Sequence, residues 1–202
     1  MLIAGAGGLG LEMLGLIVNR GEEETIVFFD QGNDIPGQFY DKYPVISEPG
    51  EAKTFFEDNT TSFIVAVGHP RLRKKLTDQL ENLGGQLVSF IADTASVFSL
   101  KTEYTGLIAQ PGSGVSHSTN IGRSCSLHIN SIIGHDVTIG DFVTIGPNVS
   151  IIGPSQIGSY CTIGASAVVL PGSVIGNNVI IGAGSLVEGE LRDNETFVNR
   201  RN

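Results

Sequence analysis

The chain has 202 residues and a net charge of −9, with 16% charged residues and 27 glycines. That length fits one large domain or two modest ones, and a glycine-punctuated, charge-poor composition suits a β solenoid and not a disordered chain. An acidic chain without a basic patch argues against general nucleic-acid binding, and the absence of any 18-residue apolar run argues against a membrane span. Met1 leads directly into a strand-like segment with no leader ahead of it, so the expectation is a soluble, cytoplasmic protein.

In chain order, Leu2-Ile3-Ala4 reads as a short strand, followed by Gly5-Ala6-Gly7-Gly8-Leu9-Gly10 and the helical pattern Leu11 to Val18. Thr25 to Asp30 is a strand ending in a carboxylate. Pro49 to Phe56 reads as a short helix with proline in its first turn. Ser62 to Val67 is a strand ending at Gly68-His69. Pro70 to Leu83 is a basic amphipathic helix stopped by Gly84-Gly85, and Gln86 to Ile91 is a last strand. This alternation predicts a small Rossmann-like βαβαβ domain with a parallel sheet over residues 1–93.

Gly5-x-Gly7-x-x-Gly10 follows a strand and opens a helix, the context in which bare backbone N–H groups and the positive helix end hold a phosphate. Asp30 ends the second strand, where a ribose hydroxyl or a base would lie. A dinucleotide such as NAD would also suit the motif, but the domain has half the length of a full dinucleotide fold; a purely structural tight turn is the third reading. Gly68 and His69 end another strand of the same sheet and face the same crevice, His69 either as a ligand contact or as a solvated side chain.

Residues 94–108 read as a linker. From residue 109 the pattern changes: an apolar residue stands at every sixth position without a gap, from Ala109 and Val115 through Leu127, Ile133, Ile145 and Ile163 to Val187. A period this short is the signature of a parallel β-helix, one strand and one turn per repeat. The residue after each aliphatic is mostly glycine, read here as accepting the tight bend, and the fifth hexad position is small. Cys125 and Cys161 occupy equivalent small, inward positions, so they belong to the core and form no disulfide framework. Residues 188–202 leave the repeat and turn polar. Hexads such as Ile133-Gly-His-Asp-Val-Thr and Ile139-Gly-Asp-Phe-Val-Thr resemble the hexapeptide-repeat acyltransferases, and that resemblance implies a left-handed β-helix over 109–187.

Three hexads make one coil, so residues 18 apart stack at about 4.8 Å. His117, His135, Gly153 and Pro171 then share one column, at the turn position of their hexads. His135 is followed by Asp136. A histidine supplies a base near neutral pH, and a neighbouring carboxylate fixes its tautomer; the bland reading of the same residues is a solvated turn. Gly153 leaves a gap in the column where an extended pantetheine arm could lie, and its N–H is a candidate oxyanion donor. Four scattered histidines and two core cysteines make no metal ligand set.

A phosphate-binding βαβ domain followed by hexapeptide repeats resembles the sialic-acid O-acetyltransferase and bacillosamine N-acetyltransferase family. Asn130 to Gly140 is similar to that family's catalytic segment, Gly164 to Gly172 to its CoA-side coil, and Val67-Gly68-His69-Pro70 through Lys75 to its nucleotide-sugar loop and helix. The resemblance covers nearly the whole chain. It implies a homotrimer with active sites between adjacent prisms, His135 as general base, and Asp136 orienting it. It implies acetyl-CoA along the coils near Thr144, Gly153, Gly164, Ala165 and Ala183, and the acceptor's nucleotide near Gly5, Gly7, Gly8, Leu9, Asp30, Gly68 and His69.

Three positions depart from the family pattern. Leu9 stands where many relatives carry histidine, Thr144 where many carry a second histidine near the acetyl group, and the chain ends Phe197-Val198-Asn199-Arg200-Arg201-Asn202 in place of a Gly-Asn-Pro-Ala tail. The Thr144 hydroxyl could donate to the thioester carbonyl; Arg200 and Arg201 would either meet the CoA 3′-phosphate or fray. Asp30, Gln31 and Asp34 are candidate readers of the base, leaving UDP, dTDP and GDP open. The expected activity is acetyl-CoA-dependent N-acetylation of a nucleotide-linked 4-amino-4,6-dideoxysugar for a surface glycan. Sugar O-acetylation is the alternative within enzymes, and a non-catalytic nucleotide-sugar-binding β-helix scaffold the alternative outside them.

Overall fold

The structure, a computed structural model, describes residues 1–21, 25–32, 37–39, 42–98 and 104–199. It divides into two compact units: Met1–Gly68 with Leu72–Val88, and His69–Arg71 with Ser89–Asn202.

The first unit is built on β1 (Leu2–Ala4), β2 (Val27–Phe29), β3 (Gln38–Phe39), β4 (Tyr43–Ile46), β5 (Ser62–Val65) and β6 (Gln86–Leu87). Their order is β3-β4-β2-β1-β5-β6, parallel except for the β3–β4 hairpin. Helices α1 (Gly8–Asn19), α2 (Pro49–Asp58) and α3 (Pro70–Asn82) connect them. The central strands are unbroken apolar runs because they are covered on both faces: Leu2, Ile3, Ala4, Phe28, Phe29 and Phe63 have no exposed surface. From β1 the chain winds outward through β2 to β4, then returns to place β5 on the other side of β1. The order therefore reverses between β1 and β5, where parallel α/β sheets open a crevice at their carboxyl ends. The β3–β4 pair went unforeseen in the sequence because Pro44 sits inside β4; proline demotes a run to an edge position, and here it lies next to the outermost strand.

The second unit is a parallel β-helix with three walls. The first wall stacks Ser96–Val97, Gly114–Val115, Ile132–Ile133, Ser150–Ile151, Val168–Val169 and Leu186–Val187. The second runs from Asn120–Ile121 through Val137–Ile139 to Glu190–Leu191, and the third from Phe90–Ile91 through Thr144–Ile145 to Thr196–Phe197. Register pairs such as Ile133 with Ile151 and Ile145 with Ile163 confirm the 18-residue coil. From Leu127 to Val187 every residue of the six-residue aliphatic series is buried, and so are the small residues of the fifth position, Cys125, Ser131, Cys161 and Ala167 among them.

The solenoid extends beyond the expected 109–187 at both ends. Phe90–Ile91 pairs with Ile108–Ala109, and Ser96–Val97 with Gly114–Val115, so the expected last strand Gln86–Ile91 divides between the two units and residues 94–98 belong to a coil. Ile91 and Val97 continue the six-residue series; Glu103 interrupts it, and residues 99–103 of the expected linker lie outside the described residues. After Val187 the coil shortens: Ile175 pairs with Leu191 and Ile181 with Phe197, 16 residues on. The turn at Gly189, φ +84°, omits two residues, which shifts the series out of phase and makes 188–197 read as a tail.

The hexad glycines also act differently from expectation. The left-handed bend falls two residues later, on Ser118, Ser124, Asn130, Asp136, Asn148 and their non-glycine equivalents with φ between 52° and 64°, and on Gly112, Gly172 and Gly184 with φ between 66° and 81°. The glycines keep the coils apart by nothing more than backbone: a Cβ on Gly140 would stand 2.7 Å from the Ser159 nitrogen, and one on Gly158 2.6 Å from the Gly176 carbonyl carbon.

Candidate active site

His135 leaves the first wall at the corner leading to the second, directly after Ile132–Ile133. Its Nδ1 lies 2.8 Å from Asp136 Oδ2, and the two side chains are 53% and 54% exposed. A ring that donates its Nδ1 proton to a carboxylate carries its lone pair on Nε2. Asp136 is held with φ +57°, which turns its carboxylate back alongside the imidazole of the preceding residue. One coil earlier, His117 stacks on His135, ring centroids 5.5 Å apart and planes 7° apart. The expected column of residues 18 apart is thus present on this corner.

Gly153 stands next in that column, and its role differs from expectation. A Cβ there would overlap the His135 carbonyl oxygen, so the space released by the missing side chain is filled by the backbone of the coil before it. Thr144 lies on the third wall, between Ser126 and Thr162, and is buried at 7% exposure. Ala165 and Ala183 stack on each other at the corner between the third and first walls, the register following from Ile163 with Ile181. Gly164 precedes Ala165 and supplies close approach, a Cβ there standing 2.5 Å from the Ala183 nitrogen. One chain therefore brings His135, Asp136 and Gly153 together and sets Thr144 and the Gly164–Ala165–Ala183 group on other parts of the prism.

In the first unit, the glycine loop and Gly68 meet at the strand-order reversal. Gly5 adopts φ +106°, and a Cβ on it would stand 2.7 Å from the Ala66 carbonyl oxygen, so β1 and β5 exit side by side. Gly7 caps α1 without any side-chain hydrogen bond, and Gly7, Gly8 and Gly68 all face open space. An uncapped helix start with bare glycines is the arrangement that accepts an anion. Leu9 follows, half-buried; His69, exposed, falls in the second unit. Asp30 has a second duty that the sequence did not show: its carboxylate accepts the Ala6 N–H at 2.7 Å and the Gly32 N–H at 2.8 Å, clamping the glycine loop to the end of β2.

Arg73 is the residue sequence reasoning missed. It is 1% exposed, and its Nη1 donates to the carbonyls of Val67 at 2.8 Å and Gly68 at 3.2 Å, fixing the loop that follows β5. The signal was available: Arg73, Leu76, Thr77 and Leu80 fall on one helical face, and that face is buried. Asp34, Arg200 and Arg201 lie outside the described residues. Among the described residues no group of three or more His, Cys, Asp or Glu side chains could hold a metal ion, and no helix is long and apolar enough to cross a membrane.

Comparison with known proteins follows the same division. Residues 1–80 match the PglD N-terminal domain. Residues 118–153 and 154–189 each match the bacterial transferase hexapeptide, six repeats. No curated protein sequence matches the chain. Among solved structures, a perosamine N-acetyltransferase from Caulobacter crescentus, in complex with CoA and GDP-perosamine, is 25% identical with TM-score 0.85, covering 98% of this chain and 92% of that one. WeeI from Acinetobacter baumannii AYE is 25% identical with TM-score 0.87, covering 98% and 95%. The acetyltransferase domain of PglB from Neisseria gonorrhoeae FA1090, in complex with acetyl coenzyme A, is 24% identical with TM-score 0.87 over the same shares and so shares the fold. With a PglD-type domain ahead of hexapeptide coils, and this likeness over almost its whole length, the chain is an acyltransferase similar to the hexapeptide-repeat sugar acetyltransferases.

Proposed function

We propose that this acyltransferase moves the acetyl group of acetyl-CoA to the 4-amino group of a nucleotide-linked 4-amino-4,6-dideoxysugar. The observation that carries the reading is the His135–Asp136 pair, whose 2.8 Å contact leaves Nε2 as the acceptor on an exposed corner. The likeness to a perosamine N-acetyltransferase solved with CoA and GDP-perosamine supports an amine over a hydroxyl as acceptor. Asp136 holds the imidazole, and Nε2 takes a proton from the acceptor amine as its nitrogen attacks the thioester carbonyl. A C–N bond forms, and the oxyanion is met by a backbone N–H, Gly153 being the candidate. Collapse breaks the C–S bond, and the departing CoA thiolate takes the proton back from His135.

The nucleotide would rest in the first unit at the strand-order reversal, its phosphates against Gly7 and Gly8 and its sugar side towards Gly68. Acetyl-CoA would run along the corner of Gly164, Ala165 and Ala183. Since one prism holds this corner apart from His135, the site is completed between copies in a homotrimer. The exposed aliphatics Ile129, Ile132, Ile152 and Leu186 supply apolar surface for that packing. We place the reaction in the cytoplasm, with a surface glycan as the destination of its product.

The test is release of free CoA from acetyl-CoA with UDP-, dTDP- and GDP-linked 4-amino-4,6-dideoxysugars beside free sialic acid. Turnover with one amino sugar nucleotide, abolished by His135→Ala, is the expected result. Turnover with sialic acid alone would replace N- by O-acetylation, and binding of nucleotide sugar without turnover on any acceptor would replace the enzyme by a scaffold.

A further inference from the structure

A second imidazole lies against the proposed base, and the reaction as written does not use it. The His117 ring faces that of His135 one coil on, centroids 5.5 Å apart and planes 7° from parallel. The same residue reaches the other member of the pair through its backbone: its carbonyl oxygen accepts the Asp136 N–H at 3.4 Å. Its own ring is not loose, because Nδ1 lies 3.2 Å from Ser118 Oγ. Below it, the buried Thr119 hydroxyl lies 3.4 Å from the His117 carbonyl oxygen and donates to the Gly134 carbonyl at 2.8 Å, which ties this coil to the residue preceding His135.

We propose that His117 is a positioning residue for the acetyl transfer, its ring being the flat floor that holds the His135 imidazole in plane with Asp136. The inference rests on the reading of His135 as general base. An imidazole on an exposed corner, 53% open to solvent, samples rotamers on the picosecond to nanosecond scale unless it is held. The hydrogen bond to Asp136 fixes one edge of the ring and leaves rotation about that bond; a parallel ring at 5.5 Å opposes this rotation. Direction matters because Nε2 must meet the acceptor nitrogen, and an error of about 1 Å in such a contact costs up to about a hundredfold in rate. The role asks for a flat ring at 117, and its Nδ1 serves only to steady that ring against Ser118.

The full-length protein is compared with His117→Ala, His117→Gln, His117→Phe and His135→Ala, using acetyl-CoA and the amino sugar nucleotide that the parent protein turns over. For His117→Ala, kcat falls about tenfold, while both KM values stay within about twofold. Tm moves little, and His117→Phe recovers most of the lost kcat because it restores the flat face. His117→Gln, polar but not flat, does not. The proposal is overturned if His117→Ala turns over like the parent, if glutamine rescues as well as phenylalanine, or if kcat tracks Tm across the three variants. An active His135→Ala protein would sink the base assignment itself; an inactive one beside a normal His117→Ala protein would sink this inference alone.

Discussion

A Cβ placed on Gly153 would overlap the carbonyl oxygen of His135, one coil earlier in the same column. The obstructing atom is backbone, so no side-chain rotation relieves the clash. Gly153→Ala is therefore expected to destabilise the β-helix by about 1–3 kcal/mol, the range for overpacking a tight site. Because the atom that must yield belongs to His135, kcat should fall with it. Gly15→Ala makes the contrast. That glycine lies inside α1 with nothing within 4 Å of its Cβ position. Alanine there should stabilise by about 0.5–1 kcal/mol. Chemical denaturation of the two variants checks both signs, and a Gly153→Ala protein as stable as the parent would refute the close-approach argument.

Asp136 combines two demands, a carboxylate for the His135 Nδ1 proton and a backbone at φ +57°. Asparagine tolerates that backbone as well as aspartate does, so Asp136→Asn removes the charge and leaves the turn. Its Tm should match the parent, while kcat drops by about tenfold or more, since an amide can also offer N–H to the imidazole and stabilise the wrong tautomer. Asp136→Ala should lose both rate and stability, alanine being strained at positive φ. Steady-state kinetics beside thermal melts separate the two effects; equal melting of both variants would count against the backbone half of the claim.

The six-residue series made the β-helix legible because its wall positions are set by one simple constraint, an aliphatic side chain pointing into a narrow prism. The same constraint explains where reading stopped. Glu103 breaks the series ahead of Ala109 and the two-residue deletion around Gly189 shifts it after Val187, so coils present at both ends were invisible to a fixed period. The His117–His135–Gly153 column followed from arithmetic. The occupation of the Gly153 gap did not, because it depends on how closely two backbones approach. Gly5, Gly7 and Gly8 announced a loop at a helix start, but the Asp30 clamp on Ala6 is a contact between segments 24 residues apart that no local pattern encodes.

That clamp makes a separate prediction. Asp30→Ala frees the Ala6 and Gly32 amides and releases the glycine loop from the end of β2. Two hydrogen bonds to an ionised group are lost, each worth about 1.5–3 kcal/mol in well-buried settings and less at this half-buried position. The expected pattern is a modest fall in Tm and a raised KM for the nucleotide sugar, with the KM for acetyl-CoA unchanged. Arg73→Met should act in the same direction and more strongly on stability, by about 1–3 kcal/mol, because it strips the Val67 and Gly68 carbonyls of a buried donor. A change in acetyl-CoA KM in either variant would contradict the proposed assignment of the glycine loop to the acceptor alone.

Cys161 sits at a small inward position of the prism with no exposed surface, and burial pushes its thiol from 9.0 up to about 11. Desolvation is the main cause, reinforced by the Asp193 carboxylate and opposed by hydrogen bonds with the backbone at Val179 and Asn178. Only the thiolate attacks disulfide reagents, so native protein at pH 8 should show no reaction of Cys161, and denatured protein should react fully. The sign of the pH effect follows from the raised value. Below pH 9 the thiol is protonated in both states and the folded state keeps the full benefit; between 9 and about 11 only the unfolded chain ionises, so stability falls as pH rises. Cys161→Ala should flatten that alkaline decline while leaving the curve near neutrality in shape. A decline of unchanged slope in the variant would assign the alkaline loss to other groups.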